Sequence, residues 1–232
     1  MTQQTTRLYI GNKNYSSWSM RPWVLARAFG LAFEEVMVRF DFHEADAKFH
    51  DKLRGVTPVG RVPVWMEADG FAVWDSLAIA EHLADRNPTL AIWPRDAKAR
   101  SRARSVCAEM HSGFGSLRTF CPMNIEAFFP EQGIKLWGEH EGLRKDVARI
   151  DQLWSEALAQ SGGPWLFGEF SAADAFYAPV AIRLSRFSLP LSAEADAYVQ
   201  RLLAHPAVNE WVQGALAEED FVPDDEPYRK SR

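Results

Sequence analysis

The chain has 232 residues, of which 47% are hydrophobic and 25% are charged, and its formal net charge is −5. This composition is ordinary for a soluble globular protein with one large domain or two compact ones. No basic stripe or block of Lys and Arg occurs, so nucleic acid is not expected as a partner. No apolar run is long enough to span a bilayer, and residues 1–6 lack the apolar stretch of a signal peptide. We therefore expect a cytoplasmic protein with no membrane partner.

The two cysteines predict neither a disulfide framework nor a metal centre. Cys107 and Cys121 do not form a Cys-x-x-Cys pair, and thiols in the cytosol stay reduced. Cys107 and His111 are four residues apart on a predicted helix. Two ligands do not complete a zinc site and no third is indicated nearby, so no metal is expected.

Residues 1–87 alternate between short apolar runs and helical patterns. Strands are predicted at residues 8–10, 33–40, 62–66 and 71–74. Helices are predicted at residues 22–29, at 42–53, and after Asp75 or Ser76, either of which suits an N-cap. The order β-α-β-α-β-β-α predicts a thioredoxin-like domain, in which a hairpin and a last helix complete a right-handed β-α-β unit.

Residues 96–232 show helical periodicity and predict an all-helical second domain, which a linker at residues 87–95 joins to the first. One predicted stripe contains Val106, Met110, Phe114 and Leu117, and another contains Leu143, Val147, Ile150, Trp154 and Leu158. A further helix is predicted to begin near residue 171. The acidic groups at residues 218–220 and 224–226 are predicted to form a solvated tail.

Four short motifs occur in a fixed order, at residues 16–21, at Val62-Pro63, at Asp75-Ser76 and at residues 171–174. Together they resemble the motifs of serine-type glutathione S-transferases. The first motif reads Ser-Ser-Trp-Ser-Met-Arg here, Ser-Ser-Cys-x-x-Arg in the zeta class and Ser-Pro-Phe-x-x-Arg in the tau class. The resemblance covers about residues 7–217. It implies glutathione as co-substrate and a homodimer.

A serine hydroxyl at the start of the first helix is suited to activating the glutathione thiol. A free thiol of this kind has a pKa near 8.5, so only a few per cent is thiolate at neutral pH. Lowering that pKa by about two units needs roughly 2.7 kcal/mol, which a hydrogen bond to the thiolate and a helix N-terminus together supply. The zeta and tau motifs put the catalytic hydroxyl at Ser16, whereas the theta-type spacing selects Ser17.

The resemblance also implies which residues bind glutathione, namely Arg61, Val62, Pro63, Asp75 and Ser76. Val62 would pair its backbone with the cysteinyl part of the tripeptide, before a cis-proline. The Asp-Ser pair would hold the γ-glutamyl end at a helix N-terminus. The family often has Lys, His or Gln for the glycyl carboxylate, and here Arg61 or Lys52 would substitute.

The resemblance places a second pocket, for the electrophile, between the domains, with Trp18, His111, Phe114, Arg118 and Arg186 as its predicted residues. Trp18 stands where the zeta class has Cys, which argues against thiol transfer and against zeta-type isomerisation. Arg186 aligns with a zeta arginine that is thought to meet an acidic substrate, which argues for isomerisation.

Three functions follow from the resemblance. The first is a transferase that attacks small hydrophobic electrophiles with the glutathione thiolate. The second is a glutathione-dependent cis–trans isomerase of the maleylacetoacetate isomerase type. The third is a non-enzymatic binding or interaction module on the same fold, because fold alone does not fix function.

Overall fold

The computed structural model describes residues 5–40 and 47–232. Its sheet contains strands β1 (Arg7–Ile10), β2 (Glu34–Met37), β3 (Val64–Met66) and β4 (Ala72–Trp74), in the order β2-β1-β3-β4. Strand β1 runs parallel to β2 and antiparallel to β3, which pairs antiparallel with β4. The parallel pair comes from the β-α-β crossover and the antiparallel pair from the hairpin.

Three helices accompany the sheet: α1 (Ser17–Ala28), α2 (Ala47–Lys52) and α3 (Ser76–Arg86). This arrangement confirms the predicted thioredoxin-like order of elements. The first part of the helix predicted at residues 42–53 lies outside the described residues.

Alternation along β1 separates two hydrophobic cores. Leu8 and Ile10 point to the face covered by α1 and α3, and both are fully buried in the main core. Tyr9 points to the opposite face, where it packs with Val38 and Val64 in a smaller cluster. Successive strand residues face opposite sides of a sheet, so one short strand supports both layers.

The second domain is helical in all its regular elements that the structure describes. These are α4 (Ala97–Ser112), α5 (Gly115–Phe120), α6 (Pro130–Glu139), α7 (Glu141–Ser161), α8 (Ala172–Arg186), α9 (Ala193–Ala204), α10 (Pro206–Glu218) and a 3-10 turn (Pro223–Asp225). Helix α8 lies at its centre, and it packs against α1 of the first domain as well as against α4 and α9.

A capping box begins α8, as the sequence predicts. Ser171 Oγ accepts a hydrogen bond from the Ala173 N–H, and the Asp174 carboxylate accepts from the Ser171 N–H at 2.9 Å. The second carboxylate oxygen accepts from the hydroxyl of Tyr198 at 2.8 Å. Burial nevertheless raises the pKa of Asp174 to about 6. These bonds satisfy the free N–H groups at the start of a helix that is buried on almost all sides.

The predicted helical stripe through residue 117 is two helices rather than one. Helix α4 ends at Ser112, and Phe114 then adopts a left-handed conformation with φ of 56° before α5 begins. Gly113 permits the break, because a Cβ there would lie 2.6 Å from the carbonyl oxygen of Glu109. Helix α6 has no counterpart among the predicted elements.

The prediction of a solvated acidic tail is wrong for much of the segment. Glu218 accepts hydrogen bonds from the backbone N–H of Lys13 at 2.8 and 3.0 Å. Glu226 is only 5% exposed and accepts from the hydroxyl of Tyr15 at 2.8 Å. Val222 is buried between these acids. Charged runs remain in solvent only when they lack buried partners, and this run has both polar partners and an apolar anchor.

Among the described residues, no helix combines the length and the hydropathy needed to cross a bilayer.

Candidate active site

The first turn of α1 brings two serines to the junction of the two domains. Ser16 is the N-cap of α1, but its side chain makes no capping hydrogen bond. Its hydroxyl instead bonds to Ser19 Oγ at 2.7 Å, while Ser17 Oγ accepts from Arg183 Nη2 at 3.3 Å. Ser16 and Ser17 are each 5% exposed. The hydroxyl of Ser16 is therefore not used as a helix cap, and the positive end of α1 lies beside both serines.

The start of α3 brings a second pair of polar residues to the same region. Asp75 is the N-cap, and its Oδ1 accepts from the N–H groups of Leu77 at 2.8 Å and Ala78 at 3.4 Å. Its φ of 75° is rare for a residue other than glycine. Ser76 is fully buried, and its hydroxyl accepts from Arg21 Nη1 at 3.3 Å. Residues held in such conformations often belong to a binding site.

The chain immediately before β3 borders both the Ser16-Ser17 pair and the Asp75-Ser76 pair. The peptide bond between Val62 and Pro63 is cis. A cavity of about 730 Å³, called here the first cavity, is lined by all of the predicted glutathione-binding residues, namely Arg61, Val62, Pro63, Asp75 and Ser76. Trp18, Trp74 and His111 add aromatic and polar side chains to its lining. Lys52 is an exposed residue at the end of α2 and does not line it.

A second cavity of about 380 Å³ adjoins the first and contains the serine pair. The first domain contributes Ser16, Ser17 and Trp18 to its wall. The second domain contributes Arg118 from α5, Arg183 from α8 and Asp225 from the 3-10 turn. Trp18, Arg61 and Val62 line both cavities, so the two cavities share this part of their walls.

Trp18 forms the partition between the cavities and is 38% exposed. Its ring meets the ring of His111 edge to face, with 5.0 Å between centroids. The guanidinium of Arg21 lies 4.0 Å from the Trp18 ring centroid, and that of Arg118 lies 5.2 Å from it. Cations stacked on an indole hold it in one orientation, which gives this exposed side chain a fixed place.

His111 links the partition to the first cavity. Its Nε2 lies 3.3 Å from Asp75 Oδ2. Burial lowers the pKa of His111 and Asp75 opposes that effect, while Arg21 and Arg118 add to it. Its Nδ1 is buried and has no hydrogen-bond partner among the described residues.

Three guanidinium groups lie near the serine pair. They belong to Arg21 of α1 in the first domain and to Arg118 and Arg183 of the second domain. Arg21 is 1% and Arg183 7% exposed. Burial and the neighbouring Arg118 lower the pKa of Arg21 to about 9 and that of Arg183 to about 10, so both remain charged at neutral pH. The charge of Arg183 also lowers the pKa of Arg21, and burial lowers the pKa of Arg118.

The described hydrogen bonds of these arginines go to neutral acceptors. Arg21 binds the hydroxyl of Ser76, and Arg183 binds the carbonyl oxygen of Cys121 as well as Ser17. Arg118 binds the carbonyl oxygen of Gly113 and both the carbonyl oxygen and the sulfur of Met110. Buried cations whose partners are neutral create a positive potential, which favours an anion in the adjoining cavities.

Asp225 contributes a carboxylate to the wall of the second cavity. Burial, followed by repulsion from Asp224 and Glu226, raises its pKa to about 6, although Arg183 acts in the opposite direction. The side chain is partly buried. The cavity therefore contains one acid whose charge depends on pH in the range just below neutrality.

Two predicted pocket residues lie elsewhere. Arg186 is half-buried at the end of α8, where its carbonyl oxygen accepts from the Phe129 N–H at 2.8 Å, and it lines neither cavity. It follows Arg183 by three residues, which moves it about 4.5 Å along the helix axis and beyond the cavity edge. Phe114 is 7% exposed, lines neither of the two cavities and borders a small internal gap beside Ser17.

Arg183 and Asp225 line the cavity but are absent from the predicted set. Arg183 had one available signal, since it stands among apolar residues of a helix whose other positions are suited to burial. A buried arginine needs hydrogen-bond partners and often faces a site. Asp225 had no local signal, because its acidic run is typical of exposed tails.

In the part of the chain that the structure describes, no group of three or more His, Cys, Asp or Glu side chains is placed to hold a metal ion.

Comparison with known families gives a match in each half of the chain. Residues 15–86 match the family described as "Glutathione S-transferase, N-terminal domain". Residues 137–214 match "Glutathione S-transferase, C-terminal domain".

Curated relatives and a solved structure are similar over most of the chain. A Caenorhabditis elegans protein named "Probable maleylacetoacetate isomerase" is 27% identical over 197 residues, which cover 83% of this chain and 85% of the relative. The "Maleylacetoacetate isomerase" of Pseudomonas aeruginosa is 25% identical over 190 residues, which cover 81% and 85%. A glutathione transferase homolog from Burkholderia, solved with bound glutathione, is 25% identical with a TM-score of 0.67, covering 91% of this chain and 98% of that one.

The two family matches fall on the sheet domain and on the helical domain in the order that the fold shows. Both halves of the molecule thus point to one two-domain enzyme family, and the chain belongs to the glutathione S-transferase family.

Proposed function

We propose that this protein binds glutathione in the first cavity and uses its thiolate to attack a small electrophile held in the second. One observation carries the proposal: the residues expected to bind the tripeptide line one cavity, and the serines expected to activate its sulfur line the next. Trp18 borders both cavities, so tripeptide and electrophile would meet beside it.

The first cavity offers a partner for each polar part of glutathione. Ser76 and the N-terminus of α3 suit the γ-glutamyl carboxylate, and Asp75 suits its ammonium group. The backbone of Val62 suits the extended cysteinyl residue. Arg61 lines the same cavity and would bind the glycyl carboxylate.

The serine pair would supply the hydrogen bond that stabilises the thiolate. A hydroxyl that donates to the charged sulfur contributes about 1.5–3 kcal/mol, and the N-terminus of α1 adds up to about 1 kcal/mol. The charges of Arg21, Arg118 and Arg183 act in the same direction. Together these terms suffice to lower the thiol pKa by about two units, which requires roughly 2.7 kcal/mol.

A second candidate function is glutathione-dependent cis–trans isomerisation of an acidic substrate. The observation that favours it is the pair Arg118 and Arg183, which line the second cavity and bind neutral acceptors within the described protein. A guanidinium forms strong paired hydrogen bonds with a carboxylate. In this reaction the thiolate adds to a conjugated double bond and the negative charge moves to an enolate. The resulting single bond rotates, and the double bond then reforms as the thiolate leaves.

The test begins with glutathione binding by calorimetry, followed by a panel of electrophiles that includes neutral aromatic halides and a maleyl compound. We expect micromolar to millimolar binding of glutathione and turnover of at least one electrophile. Turnover of the maleyl compound alone would favour the isomerase. A protein that fails to bind glutathione would instead be a non-enzymatic module. Cytoplasmic location and a homodimer are expected from the family, and sedimentation velocity would check the second.

A further inference from the structure

The turn that precedes the serines is held largely by distant parts of the chain. This turn comprises residues 12–16, and its residues Asn12, Asn14 and Tyr15 are only 1–6% exposed. Asn14 Oδ1 accepts from the backbone N–H groups of Ile125 at 2.8 Å and Glu126 at 2.9 Å. The turn is therefore built by the first domain but fixed by the second.

A second anchor of the turn is the hydroxyl of Tyr15. It donates to Glu226 Oε1 at 2.8 Å and accepts from the Val222 N–H at 3.3 Å. Both partners belong to the C-terminal segment, residues 218–229. The Tyr15 ring thus ties the residue next to Ser16 to a segment more than 200 positions further along the chain.

Glu226 connects three parts of the molecule through one buried carboxylate. The oxygen that accepts from Tyr15 also accepts from Asn124 Nδ2 at 2.8 Å. The other oxygen accepts from Arg229 Nε at 2.7 Å. A buried carboxylate with this many donors is held in one position.

We propose that Tyr15 and Glu226 are positioning residues that fix the hydroxyl of Ser16 relative to the sulfur of bound glutathione, an inference that rests on the proposed function. Tyr15 is covalently joined to Ser16, whose carbonyl oxygen accepts the N–H of Met20 at 3.1 Å and so starts α1. A shift of the Tyr15 ring therefore passes directly to the serine. A displacement of about 1 Å in such a group is enough to lower a reaction rate by about 100-fold.

The competing interpretation is that this network only joins the two domains. It would then contribute to stability and would leave the ionisation of bound glutathione unchanged. The two interpretations differ in the thiol pKa of the glutathione complex, which reports the hydrogen bond to sulfur and is read from the ultraviolet absorbance of the thiolate against pH.

The decisive pair of variants is Tyr15→Phe and Tyr228→Phe in the full chain. The Tyr228 hydroxyl donates to the carbonyl oxygen of Phe120 at 2.7 Å, so its loss removes one comparable bond of the same C-terminal segment far from the serines in sequence. We expect Tyr15→Phe to raise the thiol pKa of bound glutathione by about one unit, from about 6.5 to about 7.5, which is a roughly threefold loss of thiolate at pH 7. Tyr228→Phe should keep the wild-type thiol pKa, although both variants lower the melting temperature.

Substitutions at Glu226 provide the rescue test. Glu226→Gln keeps an oxygen that accepts from Tyr15 and Asn124, so its thiol pKa should stay near the wild-type value. Glu226→Ala removes that oxygen and should raise the thiol pKa as Tyr15→Phe does.

Two outcomes overturn the inference in different ways. If Tyr15→Phe and Glu226→Ala lower the melting temperature but leave the thiol pKa unchanged, the network only joins the domains and the proposed function stands. If the wild-type protein does not bind glutathione in calorimetry, the proposed function fails and the inference fails with it.

Discussion

The two cavities are built in different ways. The polar residues of the first cavity come mainly from two short stretches of the first domain, Arg61–Pro63 and Asp75-Ser76, with His111 as an addition from the second. Apart from Arg61, which lines both cavities, the charged residues of the second cavity come from α5, from α8 and from the C-terminal segment. The first is thus a local construction and the second depends on how the whole chain packs.

This difference separates a shared task from an individual one. Binding a tripeptide needs backbone edges and helix N-termini, which short segments provide. Choosing an electrophile needs side chains that converge from several elements, and these vary with packing. Substitutions that affect only one cavity are therefore the means of breaking or sharpening the contrast.

The largest effect is expected for the serine pair in the second cavity. Ser16→Ala should keep glutathione affinity within a few-fold and lose most of the thiolate and most of the conjugation, about 10- to 100-fold, because a hydrogen bond to charged sulfur is removed. The thiolate absorbance of the complex against pH measures it. Ser17→Ala is the matched control, and an unchanged titration in Ser16→Ala beside a shifted one in Ser17→Ala would assign the role to Ser17.

A smaller effect, confined to the second cavity, is expected for Arg183→Met. The KM for a carboxylated electrophile should rise about tenfold, because a charged hydrogen bond to the substrate is lost. The KM for a neutral electrophile should change less. Arg186→Met removes an arginine from the same helix outside the cavity and serves as the control. Equal effects of both substitutions on the carboxylated substrate would contradict this role of Arg183.

The corresponding change in the first cavity is Asp75→Ala. It removes the N-cap of α3, which should lower the free energy of unfolding by about 1 kcal/mol. It should also raise the KM for glutathione several-fold while leaving the relative preference among electrophiles unchanged. Urea denaturation and steady-state kinetics measure the two effects. A changed electrophile preference would show that the cavities are not independent.

The smallest effect on catalysis is expected for Asp225→Asn, whose main consequence appears instead in the pH dependence of stability. The pKa of Asp225 is raised to about 6 in the folded protein from 3.8, so the folded state binds the proton more tightly than the unfolded state. The Asp225 contribution to stability therefore falls as the pH rises from about 4 to about 6.

Asparagine carries no charge at either limit. Relative to the wild type, Asp225→Asn should be more favourable at pH 7 than at pH 4, as urea denaturation at the two pH values would show. Asp174 titrates over the same range, so the comparison uses the difference between the variant and the wild type. A difference that is constant with pH would contradict the raised pKa.

Local chemistry explains what the sequence predicts well. The type of each predicted strand and the capping box at Ser171 each depend on a few adjacent positions, whereas the residues of the first cavity are implied by the motifs that resemble those of glutathione S-transferases. Asp75 needed only its place before a helical pattern, and the structure makes it the N-cap of α3. Such features are determined by backbone hydrogen bonding within one or two turns.

Packing over long distances explains what the sequence does not predict. Arg183 and Arg186 are chemically identical and three residues apart, and only the position of α8 against α1 decides that Arg183 reaches the cavity. The acidic run near the C-terminus has the composition of a solvated tail. Glu226 is nevertheless buried, because Tyr15 near the N-terminus and Asn124 in the middle of the chain donate hydrogen bonds to it. Neither the position of Arg183 nor the burial of Glu226 can be predicted from the neighbouring residues in the sequence.

The bond between Tyr15 and Glu226 also has a consequence for protein synthesis, because 211 positions separate the two residues. At about 5–20 residues per second, a ribosome makes Glu226 roughly 10–40 s after Tyr15. The ribosome therefore completes the sheet domain well before it makes Glu226, which holds the turn of residues 12–16 in that domain.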